Sequence, residues 1–167
     1  MDRVRKIRVW IAAGLALGML TFTANVRGQA TMSASSLGRP APAVQRVIFE
    51  VRNLRSDNGQ VMGALFDSAE RWVRTGEETA ACRVAIRNRV ARCAMEVPVG
   101  RYAFAFAHDE DRDGQFDRDF LGIPQEGYGF SNDVRPSLSL PSWQSAAFHV
   151  RETPSGRPLV VTTRYGI

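Results

Sequence analysis

The stretch RYAFAFA, Arg101–Ala107, decides the fold. Tyr102, Phe104 and Phe106 alternate with Ala103, Ala105 and Ala107, so large side chains face one way and small ones the other. That period of two is the mark of a strand. Working outward, Val44–Arg52 alternates in the same way, with Val47, Phe49 and Val51 opposed to Arg46, Glu50 and Arg52. Ser56-Asp57-Asn58-Gly59 is a strong turn, and Gln60–Asp67 reads as the returning strand of a hairpin. Thr79–Ile86, Val90–Val97, Ser145–Val150 and Leu159–Tyr165 complete the strands, and Ser68–Arg74 reads as one helical turn capped by Ser68, with Trp72 covering the sheet edge. About seven short strands and almost no helical period predict an all-β chain, a single antiparallel β-sandwich, with a barrel as runner-up.

Upstream of this body the chain reads as an export signal. Arg3, Arg5, Lys6 and Arg8 precede a mostly apolar run, Val9–Ala24, and Gly28-Gln29-Ala30 supplies small residues for cleavage after Ala30. The run of 16 residues is shorter than the ~20 a membrane span needs. The expected organisation is therefore a signal peptide over 1–30, a flexible lead-in rich in Ser, Ala, Gly and Pro over 31–43, and one β-sandwich domain over 44–167. Removing the signal takes away five basic residues and one acidic residue, leaving 17 against 16 and a net charge of +1 rather than +5. The basic headline pI thus gives no reason to expect nucleic acid as a partner.

Export permits a disulfide, and Cys82 and Cys93 are the chain's two cysteines. With Arg87 and Asn88 as a two-residue turn, the cysteines fall opposite each other on a hairpin, and no C-x-x-C or adjacent His suggests redox or metal chemistry.

The richest chemistry follows the central strand, in HDEDRDGQFDRDFLGIPQEGYGFSND, residues 108–133. Asp109, Asp111, Asp113 and Asp117 stand at places one, three, five and nine of a calcium-loop pattern, with Gly114 at six for the sharp turn. Gln115, at seven, would offer its backbone carbonyl, and Phe116 would pin the loop to the core. The twelfth place, where the EF-hand has a bidentate Glu, is Phe120, so Asp119 or Glu126 is left to supply that carboxylate. Six acids and two arginines give 109–119 a charge of −4, which a bound cation would relieve. Calcium is the expected ion, and a solvated acidic turn region is the plain alternative.

His108 reads as an anchor bonding loop backbone, because the other histidine, His149, stands at no metal-binding spacing from it. A metal-assisted hydrolase or a glycosidase would need His108, Asp109 and Glu126 to converge. Tyr128, Phe130 and Trp143 either line a binding face for a protein or carbohydrate ligand or seal the loop onto the sandwich. Gly122, Gly127 and Gly129 read as turn glycines.

The runs NLRSDNGQVMGALF (53–66), VPVGRYAFAFAHDE (97–110), GIPQEGYGFSN (122–132) and PSWQSAAF (141–148) together resemble the domain of unknown function 2141 family of exported bacterial proteins, over roughly Val44–Tyr165. The resemblance implies a small sandwich of the immunoglobulin-like or prealbumin-like sort. Members typically carry Asn at the places of Asp111 and Asp113, which suits oxygen ligation better than acid–base catalysis. It implies no particular activity. The expected protein is thus exported, periplasmic or extracellular, and non-catalytic: a binding or envelope accessory domain with a calcium-loop-like segment and no membrane span after the signal. A purely structural adhesion-type module without an ion is a further alternative.

Overall fold

The computed structural model describes residues 43–136, 139–151 and 156–166. The expected signal peptide, and all of the expected lead-in but its last residue, lie outside the described residues. Eight strands run in chain order: β1 Val44–Arg52, β2 Gln60–Phe66, β3 Ala80–Ala85, β4 Ala91–Pro98, β5 Gly100–Asp109, β6 Gly127–Phe130, β7 Phe148–Val150 and β8 Leu159–Thr162. They form two sheets, one ordered β4-β1-β8 and the other β3-β2-β5-β6, with β7 sharing the β6 edge of β5. The all-β sandwich read from the sequence is the fold. Its pairing is antiparallel except between β1 and β8, which run parallel from Phe49↔Leu159 to Arg52↔Thr162.

Two apolar layers cover the β5 sheet. Between the sheets, Phe49 and Val51 of β1 and Cys93, Met95 and Val97 of β4 meet Val61 and Leu65 of β2 and Tyr102, Phe104 and Phe106 of β5. The Phe49 and Phe104 rings stack with centroids 3.8 Å apart. On the outer face the small side chains Ala103 and Ala105 leave room for Phe66, Trp72, Tyr128, Phe130 and Trp143. Trp72 and Trp143 each satisfy their indole N–H on a backbone carbonyl, of Pro141 and Phe66, as buried tryptophans must. The alternation read in RYAFAFA is therefore the division between a main core and a second, covering layer.

Several expectations need correction. β1 and β2 do not form a hairpin, because β1 pairs with β4 and β8 while β2 pairs with β3 and β5. Residues 53–59 instead carry the chain from one sheet to the other. β3 and β4 likewise sit in different sheets, so the Cys82–Cys93 disulfide, with Cα atoms 6.0 Å apart, ties the sheets together rather than crossing a hairpin. Closing so short a loop contributes about 3 kcal/mol. The tight turn beneath it is Asn88-Arg89, both at positive φ, flanked by the Arg87↔Val90 bridge. Asp57 accepts both turn N–H groups, which repays the left-handed backbone and links the two inter-sheet crossings.

Ser68–Arg74 is a run of turns, not a helix, and the one α-helix among the described residues, α1 Trp143–Ala146, is capped by Ser142 where a strand was expected from Ser145. The strand expected over Leu159–Tyr165 ends at Thr162, and Arg164 then bridges to Tyr128. Gly127 and Gly129 are strand glycines, not turn glycines. A Cβ on Gly129 would lie 2.6 Å from the Phe106 ring, and one on Gly127 would lie 2.6 Å from the Tyr165 ring. Gly122, at φ 80°, is the turn glycine.

Candidate metal centre

β5 ends by turning from an apolar strand into the acidic loop, and strand alternation decides where each side chain goes. His108 continues the inward series of Tyr102, Phe104 and Phe106, while Asp109 continues the outward series of alanines. Register then supplies neighbours for Asp109. Gln60 is its partner on β2, and carrying the His108↔Gly127 pairing on by one residue sets Glu126 beside it on the other side.

Asp109 and Glu126 are both buried, and one carboxylate oxygen from each of Asp109, Asp111 and Glu126 lies within 4.8 Å of the others. The oxygens are unequally satisfied. Asp109 Oδ2 accepts from Gln60 Nε2 at 2.7 Å and from the Gly114 N–H at 3.2 Å. Asp109 Oδ1, fully buried, has no hydrogen-bond partner among the described residues. Glu126 Oε1 accepts from the Glu110 N–H at 2.9 Å and Oε2 from the Asp117 N–H at 3.2 Å, so this side chain clasps the two ends of the acidic loop. Burial pushes the Glu126 carboxyl above its ordinary pKa. The two N–H groups oppose that rise, and the carboxylates of Asp109 and Asp117 add to it.

The arrangement suits a hard divalent cation. Oxygens on opposite sides of a calcium ion lie up to about 5 Å apart, since each bond is ~2.3–2.6 Å. Three carboxylates, with no thiolate or imidazole among them, match calcium rather than zinc. Gly114 at φ 80° and Arg112 at φ 66° turn the loop back on itself, and Arg112 is held there by donating to the Gly59 carbonyl.

The remaining residues of the calcium-loop reading are placed otherwise. Asp113 accepts from the Gln115 N–H and its side-chain amide, at 2.7 and 2.9 Å, so both residues close a local turn at the exposed surface. Asp119 Oδ1 accepts from the Leu121 and Ile123 N–H groups, both at 2.9 Å, and so holds its own turn. Asp117 contributes its backbone to Glu126 and Gln125, while its side chain is exposed. Of the two carboxylates that could replace the EF-hand glutamate, Glu126 is the one beside Asp109. Phe116 does pin the loop, through an edge contact on Tyr128.

His108 stands apart from Asp109 and Glu126, with its Nδ1 3.3 Å from Glu110 Oε1 instead. Its Nε2 lies 2.8 Å from the Asn58 carbonyl, which only accepts, so Nε2 carries the proton. Nδ1 lies 2.8 Å from the Tyr165 hydroxyl, which also accepts the Arg55 N–H. Arg55 in turn makes a bidentate pair with Glu110. Neither ring nitrogen meets Asp109 or Glu126, so these three do not form one catalytic group. Tyr128, Phe130 and Trp143 are each less than a tenth exposed and form the covering layer, not an open binding face. Tyr165, Arg55 and Gln60 complete the surroundings of the loop. Only Gln60 could have been read from the sequence, had β2 and β5 been paired in this register.

Fold and acidic loop together define a class, a small two-sheet β-domain with a carboxylate cluster at the exit of its central strand. The family model DUF2141, described as an uncharacterized protein conserved in bacteria, matches residues 49–156, and the chain belongs to that family. No curated protein and no solved structure matches the chain.

Proposed function

We propose that this is an exported, non-catalytic binding or envelope accessory domain whose acidic loop holds one calcium ion through Asp109, Asp111 and Glu126. The observation that carries the reading is Asp109 Oδ1. A buried carboxylate oxygen with no donor costs several kcal/mol unless a cation or proton meets it, and here Asp109 also brings a carboxylate oxygen within 4.8 Å of one from Asp111 and one from Glu126. The ion's role is structural, because it joins the exit of β5, the loop and the entry of β6. At ten times its dissociation constant it adds ~1.4 kcal/mol, roughly a 5 °C rise in unfolding midpoint. Extracellular calcium modules commonly bind at about 10⁻⁴–10⁻³ M. The basic stretch, apolar run and small-residue exit at the N-terminus support export.

The test is thermal unfolding in chelator and in millimolar calcium at several pH values. Glu126, with Asp109, Glu110, Asp111, Asp117 and Arg55 about it, has a raised folded pKa, so ionising it lowers the stability of the ion-free protein as pH climbs from the ordinary carboxyl value to the raised one. Calcium needs the ionised form. The calcium-minus-chelator difference is therefore expected to be small below that window and to grow through it. A difference absent at every pH, or unchanged across the window, would refute the site.

A further inference from the structure

The sandwich is open along one side, at the Gly100 end of β5. The Val99 N–H donates to the Ala43 carbonyl, and the Thr163 N–H donates to the Arg52 carbonyl. By strand alternation the odd residues of β1 therefore bond to β4, and the even ones direct their N–H and C=O groups to the other edge. β8 covers that edge only over residues 49–52. The N–H and C=O groups of Val44 and Arg46 thus face no strand among the described residues. Across from them runs β7, which is paired to β5 alone. Between β1 and β7 lies a cavity of about 250 Å³, lined by residues 45–48 on one side and 148–151 on the other. Register turns Val47 and Leu159 inward with Phe49, and Phe148 inward with Tyr102. These are core positions, yet Leu159 is 40% exposed, and Val47 and Phe148 are only partly buried. The fold has room here for one more strand.

We propose that this gap is a strand-addition site for an extended acidic peptide of a partner protein, with apolar side chains at alternate places. The proposal names a partner for the binding domain and does not use the cation site, which lies at the Asp109 end of β5. An added strand brings both donors and acceptors at the spacing of the open β1 edge, which a small anion does not. The cavity also falls below the ~300–1,000 Å³ of ordinary small-molecule sites. Alternate apolar side chains would cover Val47, Phe148 and Leu159, and the intervening ones would lie on the Arg46 face of the sheet. Charge selects acids there. Arg46, Arg151 and Arg157 line the gap, all three exposed, and no acid lines it among the described residues. None of the three makes an ion pair among the described residues. Glu152, next in sequence to Arg151, still leaves them a net charge of +2. Glu96, opposite Arg46 on β4, is offset by Arg101, opposite His149 on β5. The chain's own lead-in is unsuited, since residues 31–42 carry Arg39 and no acid. Pairing two copies edge to edge would bring like charges together.

The experiment is fluorescence anisotropy of a labelled, capped peptide of alternating Glu and Val, titrated with residues 31–167 in chelator, so that the calcium site plays no part. Every strand lies within the compact unit Arg39–Ile167. The expected result is saturable binding that Arg46→Glu weakens about tenfold or more while keeping the wild-type unfolding midpoint. Arg87→Glu, beyond the other end of β1, should leave binding unchanged. Methylating the peptide's backbone nitrogens, which keeps its charge and removes its donors, should abolish it. No binding by the wild type, equal weakening by the two variants, or binding that survives methylation overturns the proposal. So does a dimer in sedimentation velocity that Arg46→Glu dissolves, which would give the gap to a second copy of this chain.

Discussion

Asp109→Asn raises the unfolding midpoint in chelator and removes the rise that calcium produces. In the ion-free protein Oδ2 serves Gln60 and Gly114, while Oδ1 is buried without a donor and Asp109 brings a carboxylate oxygen within 4.8 Å of one from Asp111 and one from Glu126. Asparagine keeps an acceptor for Gln60 and Gly114 and turns the other atom into a donor that Asp111 or Glu126 can accept. Relieving a buried unpartnered atom contributes about 1–3 kcal/mol, so the chelated variant melts roughly 5 °C or more above the wild type. In calcium the variant lacks a charged ligand and its midpoint stays flat. Melts by circular dichroism in both conditions measure this. An equal loss of stability with calcium and with chelator would make Asp109 a hydrogen-bonding strut and nothing more.

Gly59→Ala destabilises the protein by more than ~3 kcal/mol, whereas Gly76→Ala costs only ~1 kcal/mol. Both glycines sit at positive φ, 72° and 82°. They differ in what surrounds them. A Cβ on Gly59 would lie 2.0 Å from the Asp109 carbonyl oxygen and 2.5 Å from Glu110 Cα, and one on Gly76 would meet no atom within 4 Å. The comparison separates close backbone approach from the dihedral alone. Urea unfolding of the two variants decides it. Equal costs would mean that the Ser56–Gly59 turn does not pack the loop into place.

The strands were legible because alternation needs only local sequence. RYAFAFA announced both its faces, and Val47, Phe49 and Val51 fixed the inner side of β1. Partners were not legible. A turn such as Ser56–Gly59 serves a hairpin and a crossing between sheets equally well, so β1 and β2 were paired where the chain in fact changes sheet. The cysteines were matched correctly on a mistaken premise, since a disulfide between sheets leaves the same spacing as one across a hairpin. β6 was hidden by its glycines, which read as turns until Phe106 and Tyr165 are seen lying against them.

At the site, the pattern of alternate aspartates led to the loop where Asp109 and Asp111 gather with Glu126, but it also took in side chains that serve their own turns. Asp113 and Asp119 are acidic for the same local reason that makes Asp common in turns, and their oxygens are already engaged by their own loops. Glu126 comes beside Asp109 through β6 pairing, which loop spacing does not encode. His108 behaves as the anchor its isolation suggested, bonded to the Asn58 carbonyl.

Calorimetric titration of calcium into residues 31–167, wild type beside Glu126→Gln and Asp119→Asn, tests the carboxylate cluster most directly. The expected result is a single calcium site of roughly 10⁻⁴–10⁻³ M, lost in Glu126→Gln and retained in Asp119→Asn. No binding by the wild type, or undiminished binding by Glu126→Gln, would contradict the assignment of Asp109, Asp111 and Glu126 as the ligands.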